Sequence, residues 1–292
     1  MPADIVPLED RWTIVDGLPL FYRAAQGDGT VDAVPIVHVH GFGISGRYLI
    51  PTAERLAVFH PTFVPDLPGY GRSHKPPHTL SIPELATSLM AFLDVAGVER
   101  AILLGNSMGC LIAIEAAHAY PERVERLILV SPAGGPHNQP LYRGFPQLAR
   151  DGLREKPRML PVAVPDYVRF GPFSSLRLFH AMTRYPTVER SLALEIPILI
   201  VIGARDPLVS RERLGLLAKT KPNVTLVIHD SAAHAINFSY PKALASVVRA
   251  WLDDDPIMVA AAQTGDVVVV RHVRVTRGKD TAPPPVTEPR TR

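Results

Sequence analysis

The sequence predicts an α/β fold, a mostly parallel sheet with helices on both faces. Three observations carry that expectation. Short apolar runs alternate with helix-patterned stretches from about residue 36 to residue 252, as βα repeats do. Most of the runs are apolar throughout rather than alternating, which is how strands buried on both faces read. At 292 residues, 47% hydrophobic and 20% charged, the chain can fill one sizeable core, and its composition excludes wholesale disorder.

The elements follow in chain order. Residues 12–15 and 20–23 flank Asp16-Gly17, a dipeptide suited to a tight hairpin turn. Runs at 36–39, 62–64, 101–104, 127–130, 198–202 and 225–228 read as buried parallel strands, closed by Gly, Pro, Ser or Asp. Ser81 with Glu84 three residues on is a capping-box pattern, opening a helix that continues to Val95. Residues 110–119 form a second helix, and 211–219 and 242–252 supply the last two of the repeat. Between Ala133 and Glu195 strand signals vanish and eight prolines punctuate short amphipathic pieces. So long a connection carries structure of its own, and reads as a helical insertion. The expected organisation is a core of residues 1–133 and 196–255, a helical cap at 134–195 and a C-terminal extension at 256–292. Within that extension 266–275 patterns as one strand, capable of pairing with a second copy in a homodimer. The proline-rich 281–292 patterns as disorder.

Several classes are excluded. No apolar run approaches the roughly 20 residues of a membrane span. The first ten residues lack the basic and apolar regions of a signal peptide. Cys110 is the single cysteine, so neither an internal disulfide nor a thiolate metal cluster is expected, and a reduced cytoplasmic location is. The net charge of +3 comes from 31 basic and 28 acidic residues, of which six and three fall after residue 255. The body is therefore neutral, without the basic stripe that nucleic-acid binding requires.

Gly105-Asn106-Ser107-Met108-Gly109 is a G-x-S-x-G motif placed between a predicted strand and a predicted helix. A serine on that turn is forced into a strained backbone that lifts its hydroxyl above the sheet end, while the glycines relieve crowding. A serine nucleophile needs a base oriented by an acid. His234 follows the last strand and Asp206 ends the one before it, in the order Ser107, Asp206, His234. Asp230 is a rival acid, too close in sequence to His234 to approach it from a neighbouring strand. The loop His40-Gly41-Phe42-Gly43 follows the run at 36–39. The backbone N–H groups of Phe42 and Met108 are the expected oxyanion donors, with Gly41 and the Phe42 ring lining the substrate pocket. His38 and His40 alternate on a strand without a third metal ligand, so no metal is expected. Arg143, Arg150, Arg154, Arg158 and Arg169 are candidates for binding a substrate carboxylate.

Together with Asp66-Leu67-Pro68-Gly69-Tyr70-Gly71-Arg72-Ser73, these motifs resemble the α/β-hydrolase-fold serine hydrolases over about residues 10–253. The resemblance implies an eight-stranded sheet, a cap inserted after the sixth strand and no cofactor. It also implies that 66–73 is a structural turn. Two positions depart from relatives: Cys110 stands where many carry glycine, and Ala235 follows the histidine where the carbon–carbon bond hydrolases sharing Asn-Ser-Met-Gly place Trp. The expected chemistry is acyl-enzyme hydrolysis of a small apolar or aromatic ester or thioester. Cleavage of carbon–carbon bonds in meta-cleavage products, cofactor-free perhydrolysis and a non-catalytic ligand receptor are the alternatives.

Overall fold

The computed structural model describes residues 5–27, 30, 32–139, 141–255 and 257. Eight strands, β1 (Glu9–Val15), β2 (Leu18–Ala25), β3 (Ile36–Val39), β4 (Thr62–Pro65), β5 (Ala101–Asn106), β6 (Val124–Val130), β7 (Ile198–Gly203) and β8 (Val224–His229), form one sheet in the order β1-β2-β4-β3-β5-β6-β7-β8. The pairings β1 with β2 and β2 with β4 are antiparallel; every other pairing is parallel. The hairpin turns where the sequence places it. Val15 pairs with Leu18, and Asp16 and Gly17 both take positive φ, 50° and 77°, which matches the twist of the flanking strands.

Among the described residues ten α-helices accompany the sheet: α1 (Ile50–Leu56), α2 (Ile82–Val95), α3 (Met108–Ala119), α4 (Leu141–Gly152), α5 (Leu160–Phe170), α6 (Pro172–Arg184), α7 (Thr187–Leu192), α8 (Arg211–Thr220), α9 (Ile236–Ser239) and α10 (Pro241–Leu252). The Ser81 capping box forms in full, with Ser81 accepting from the Glu84 N–H and Glu84 from the Ser81 N–H. Successive strand residues point to opposite faces, so the core has two halves. Leu103, Leu129 and Ile200 meet α2, α3 and α8 on one side. Leu104, Ile128 and Val201 meet Leu244, Val247 and Val248 of α10 on the other. Both faces are thus covered, which is why the strands read as unbroken apolar runs.

The region between β6 and β7 is helical, formed by α4 to α7. Its prolines sit largely where a helix tolerates them: at the first turn of α5 and of α6, and as the N-cap of α7. Pro146 and Pro165 lie inside α4 and α5. The expectations for 266–275 and 281–292 fall outside the described residues.

Candidate active site

Ser107, Asp206 and His234 all lie beyond the carboxyl ends of parallel strands, following β5, β7 and β8 respectively. That end of an open α/β sheet is where its loops can converge on a ligand. Ser107 has φ 56° and ψ −119°, the strained backbone expected of the turn, and α3 starts at the next residue, two earlier than the sequence pattern suggests. The flanking glycines are required by close approach. A Cβ on Gly109 would fall 2.1 Å from the Val39 carbonyl oxygen, and one on Gly105 2.4 Å from the Gly109 carbonyl. Cys110 is fully buried, its Sγ donating to the Gly105 and Val130 carbonyls. Burial pushes the thiol well above its usual range, so it stays neutral.

His234 Nδ1 donates to Asp206 Oδ2 at 2.8 Å, and Asp206 Oδ1 accepts the Leu208 N–H at 2.8 Å. Both carboxylate oxygens are therefore committed, and the ring is held with Nδ1 protonated. Its Nε2 has no hydrogen-bond partner among the described residues, and Ser107 Oγ faces the same cavity. Burial alone would lower the imidazole's affinity for a proton, but Asp206, with Asp151 and Glu155 behind it, outweighs that and raises it. The rival Asp230 is exposed and makes no hydrogen bond to the ring.

On the opposite wall, Phe42 and Gly41 line the cavity beside Ser107. The N–H groups of Phe42 and Met108 have no acceptor among the described residues, whereas the Gly41 N–H is already used, donating to Tyr48 Oη at 2.9 Å. Tyr48 in turn donates to Asn106 Oδ1 at 2.6 Å, and Asn106 Nδ2 donates to the Val130 and His234 carbonyls. This chain of bonds joins the loop after β3, the turn at Ser107 and the loop of His234. Sequence reading missed it. Asn106 occupies an unspecified position of G-x-S-x-G, and only the rule that a buried amide must be satisfied could have flagged it.

The cavity holds about 610 Å³, including its open mouth. Its walls are mostly apolar, with Phe42 and Ile44 facing Leu148 of α4, Met159, and Phe179 and Met182 of α6. Phe42 meets the rings of Tyr167, Phe170 and Phe179 at centroid distances of 5.7–6.1 Å. Two carboxylates that sequence reading did not single out also line it: Asp151 and Glu155. No lysine or arginine does, among the described residues. The insertion's arginines go elsewhere: Arg154 donates to the Arg205 carbonyl and Arg158 to that of Phe238, and Arg143, Arg150 and Arg169 are exposed.

His40 accepts the Leu67 N–H at Nε2 and turns Nδ1 to the Gly41 carbonyl, which brackets the loop. His38 is fully buried, and burial alone depresses it to about 3, leaving it neutral. No group of three or more His, Cys, Asp or Glu able to hold a metal occurs among the described residues. The stretch 66–73 forms a turn: Asp66 accepts the N–H groups of Gly46 and Arg72, and Ser73 Oγ accepts that of Phe21. No helix of the described residues is long and apolar enough to cross a membrane.

A strained serine between strand and helix, an Asp–His pair in the loops after β7 and β8 and a doubly covered, mostly parallel sheet define a hydrolase of the α/β type. The model of the alpha/beta hydrolase family matches residues 36–247, and the chain belongs to that family. It is 31% identical over 260 residues to the pimeloyl-(acyl-carrier protein) methyl ester esterase of Pectobacterium carotovorum subsp. carotovorum, covering 79% of this chain and 97% of that one. Among solved structures it resembles a thermophilic esterase from Thermogutta terrifontis, with a TM-score of 0.70, 21% identity, and 84% and 98% of the two chains covered. It also resembles the enol-lactonase from Burkholderia xenovorans LB400, with a TM-score of 0.68, 21% identity, and 83% and 100% covered. At those identities the two structures speak for the fold alone.

Proposed function

We propose that the chain is a serine hydrolase that cleaves a small, uncharged, apolar or aromatic ester or thioester through an acyl-enzyme. The observation that carries this reading is the 2.8 Å Asp206–His234 bond, which turns an unpartnered Nε2 into the cavity that Ser107 also lines. His234 takes the proton of Ser107 as Oγ attacks the carbonyl, and Asp206 holds the tautomer and stabilises the imidazolium. The uncommitted N–H groups of Phe42 and Met108 receive the oxyanion. The imidazolium returns its proton to the leaving alcohol or thiol. Water, activated by the same histidine, then releases the acid. The relative named as a methyl ester esterase supports ester chemistry. Labelling with a fluorophosphonate, followed by mapping of the modified residue, tests the assignment; modification anywhere but Ser107 overturns it.

The wall chemistry discriminates between ester and carbon–carbon bond cleavage. A dienoic oxo-acid would carry its carboxylate into a cavity lined by Asp151 and Glu155 and by no described lysine or arginine. Short or medium acyl esters are therefore expected to react at least about tenfold faster than a meta-cleavage dienoate in kcat/KM. Steady-state rates on both classes check this, and a preference for the dienoate would reverse the assignment.

The pH dependence follows from the histidine's surroundings. A base must be unprotonated to accept the serine proton, and the carboxylates of Asp206, Asp151 and Glu155 hold His234 protonated to higher pH than usual. The acid limb of kcat/KM is expected above the ordinary imidazole value of about 6.5, with activity falling as pH drops through it. A limb at or below that value in a pH–rate profile contradicts the expectation.

A further inference from the structure

The two carboxylates on the cavity wall are not equivalent. Glu155 has both oxygens engaged: Oε1 accepts the Ala235 N–H at 2.6 Å and Oε2 the Ser239 hydroxyl at 3.1 Å. It ties the insertion to the loop that follows His234. Asp151, four residues earlier at the end of α4, lies near the His234 backbone N–H but leaves Oδ1 without a partner among the described residues. The side chain is only 7% exposed, and it lines the same cavity as Ser107 and His234.

A carboxylate oxygen buried beside apolar side chains and left unpaired is costly. Its burial, reinforced by Glu155 and Asp206 and opposed by His234, pushes the carboxyl up to about 7. That cost persists in a folded protein chiefly where a ligand offsets it. The number of free acceptors narrows the ligand. Above about pH 7, where the carboxyl is ionised and only accepts, an ammonium brings three donors against one open oxygen, and a carboxylate brings only acceptors. A hydroxyl brings one donor.

We propose that Asp151 is a specificity-determining residue whose free oxygen accepts the hydroxyl of an uncharged hydroxy-ester or hydroxy-thioester bound for attack by Ser107. The inference rests on the serine-hydrolase reading above. It explains how one polar atom on an otherwise apolar wall can be useful: it selects among neutral acyl substrates by a single hydrogen bond, which a plain alkyl ester leaves unmade. Glu155 keeps the wall in place, and Asp151 reads the substrate.

The test compares kcat/KM of the full chain, at a pH above the value of about 7 at which Asp151 ionises, on three matched esters: ethyl butyrate, ethyl 3-hydroxybutyrate with the hydroxyl on the acyl side, and 2-hydroxyethyl butyrate with it on the alcohol side. One of the two hydroxylated esters is expected to exceed ethyl butyrate by about tenfold or more, as a hydrogen bond to a charged acceptor supports. Which one does so identifies the side of the site that Asp151 faces. In Asp151→Leu, which lacks the acceptor, that ratio should fall to about one. In Asp151→Asn, which keeps a carbonyl oxygen without the charge, it should fall partway. Equal rates for all three esters with the unsubstituted protein, or a full preference surviving in Asp151→Leu, overturns the proposal. If Asp151→Leu does not fold, Asp151→Asn and the unsubstituted protein decide by the same ratio. Absence of turnover on every ester together with absence of labelling at Ser107 sinks the serine-hydrolase reading itself. Turnover of all three without discrimination sinks only the role of Asp151.

Discussion

Ser107→Ala is expected to remove ester turnover, with a loss on the order of 10⁶ in kcat, while leaving the fold intact. The size of the loss follows from the role proposed for Oγ. Without it no acyl-enzyme forms, and what remains is the catalysis that binding and the oxyanion donors provide for attack by water. The fold should survive because the turn is held by other groups. The Ser107 N–H donates to the Val130 carbonyl and the Ser107 carbonyl accepts the Cys110 N–H, and both bonds are backbone. Alanine keeps the Cβ and the backbone at φ 56°, and Oγ itself makes no hydrogen bond among the described residues. Unfolding free energy should change by no more than about 1 kcal/mol, read from thermal or urea denaturation. Retained kcat in a folded Ser107→Ala protein would remove Ser107 from the mechanism.

Sequence reading reached the parts of the molecule where one local rule dominates. The buried strands announce themselves because both faces of the sheet are covered, so Leu103 and Leu104, or Leu199 and Ile200, are apolar alike although they point to opposite halves of the core. The hairpin at Asp16-Gly17 and the capping box at Ser81 are two-to-four-residue devices whose chemistry is local. Ser107 was legible for the same reason, since its strained turn demands Gly105 and Gly109 on either side. The partner loops needed only chain order.

What the sequence withheld is set by contacts between distant segments. Tyr48 reaches Asn106 across 58 positions, and Asn106 reaches the His234 carbonyl across 128. Neither residue carries a local pattern, and each has its place only once β3, β5 and β8 are side by side. Asp151 and Glu155 belong to the same class. In the chain they are two acids on the polar side of an amphipathic piece, spaced one helical turn apart. They face the cavity only because the end of α4 and the turn after it dock against the loop of His234. The arginines of the insertion mislead in the opposite direction. Arg154 satisfies the Arg205 carbonyl beside Asp206 and Arg158 that of Phe238 in α9, where a sequence reader looks for a substrate carboxylate.

Asp206→Asn isolates what the carboxylate contributes beyond its shape. In the native site Oδ1 accepts the Leu208 N–H and Oδ2 accepts His234 Nδ1–H. An asparagine at 206 has one oxygen and one NH₂ group for these two positions. The Leu208 N–H can only donate, so the amide oxygen turns to it and the NH₂ group faces His234. The imidazole must then accept at Nδ1, which moves its proton to Nε2, the atom that has to take the proton of Ser107. The substitution therefore keeps the volume and the backbone hydrogen bond but fixes the wrong tautomer. The expected cost is about 10⁴ in kcat, with a folded protein and a substrate KM changed far less. The negative charge that holds His234 protonated is also lost, so the residual activity should show its acid limb at lower pH than the unsubstituted protein. Asp230→Asn is the matched control, because Asp230 is exposed on the loop of His234 and makes no hydrogen bond to the ring; its kcat should stay within about twofold. A 10⁴ loss in Asp230→Asn with a near-native Asp206→Asn would transfer the acid's role to the other carboxylate and dissolve the tautomer argument with it.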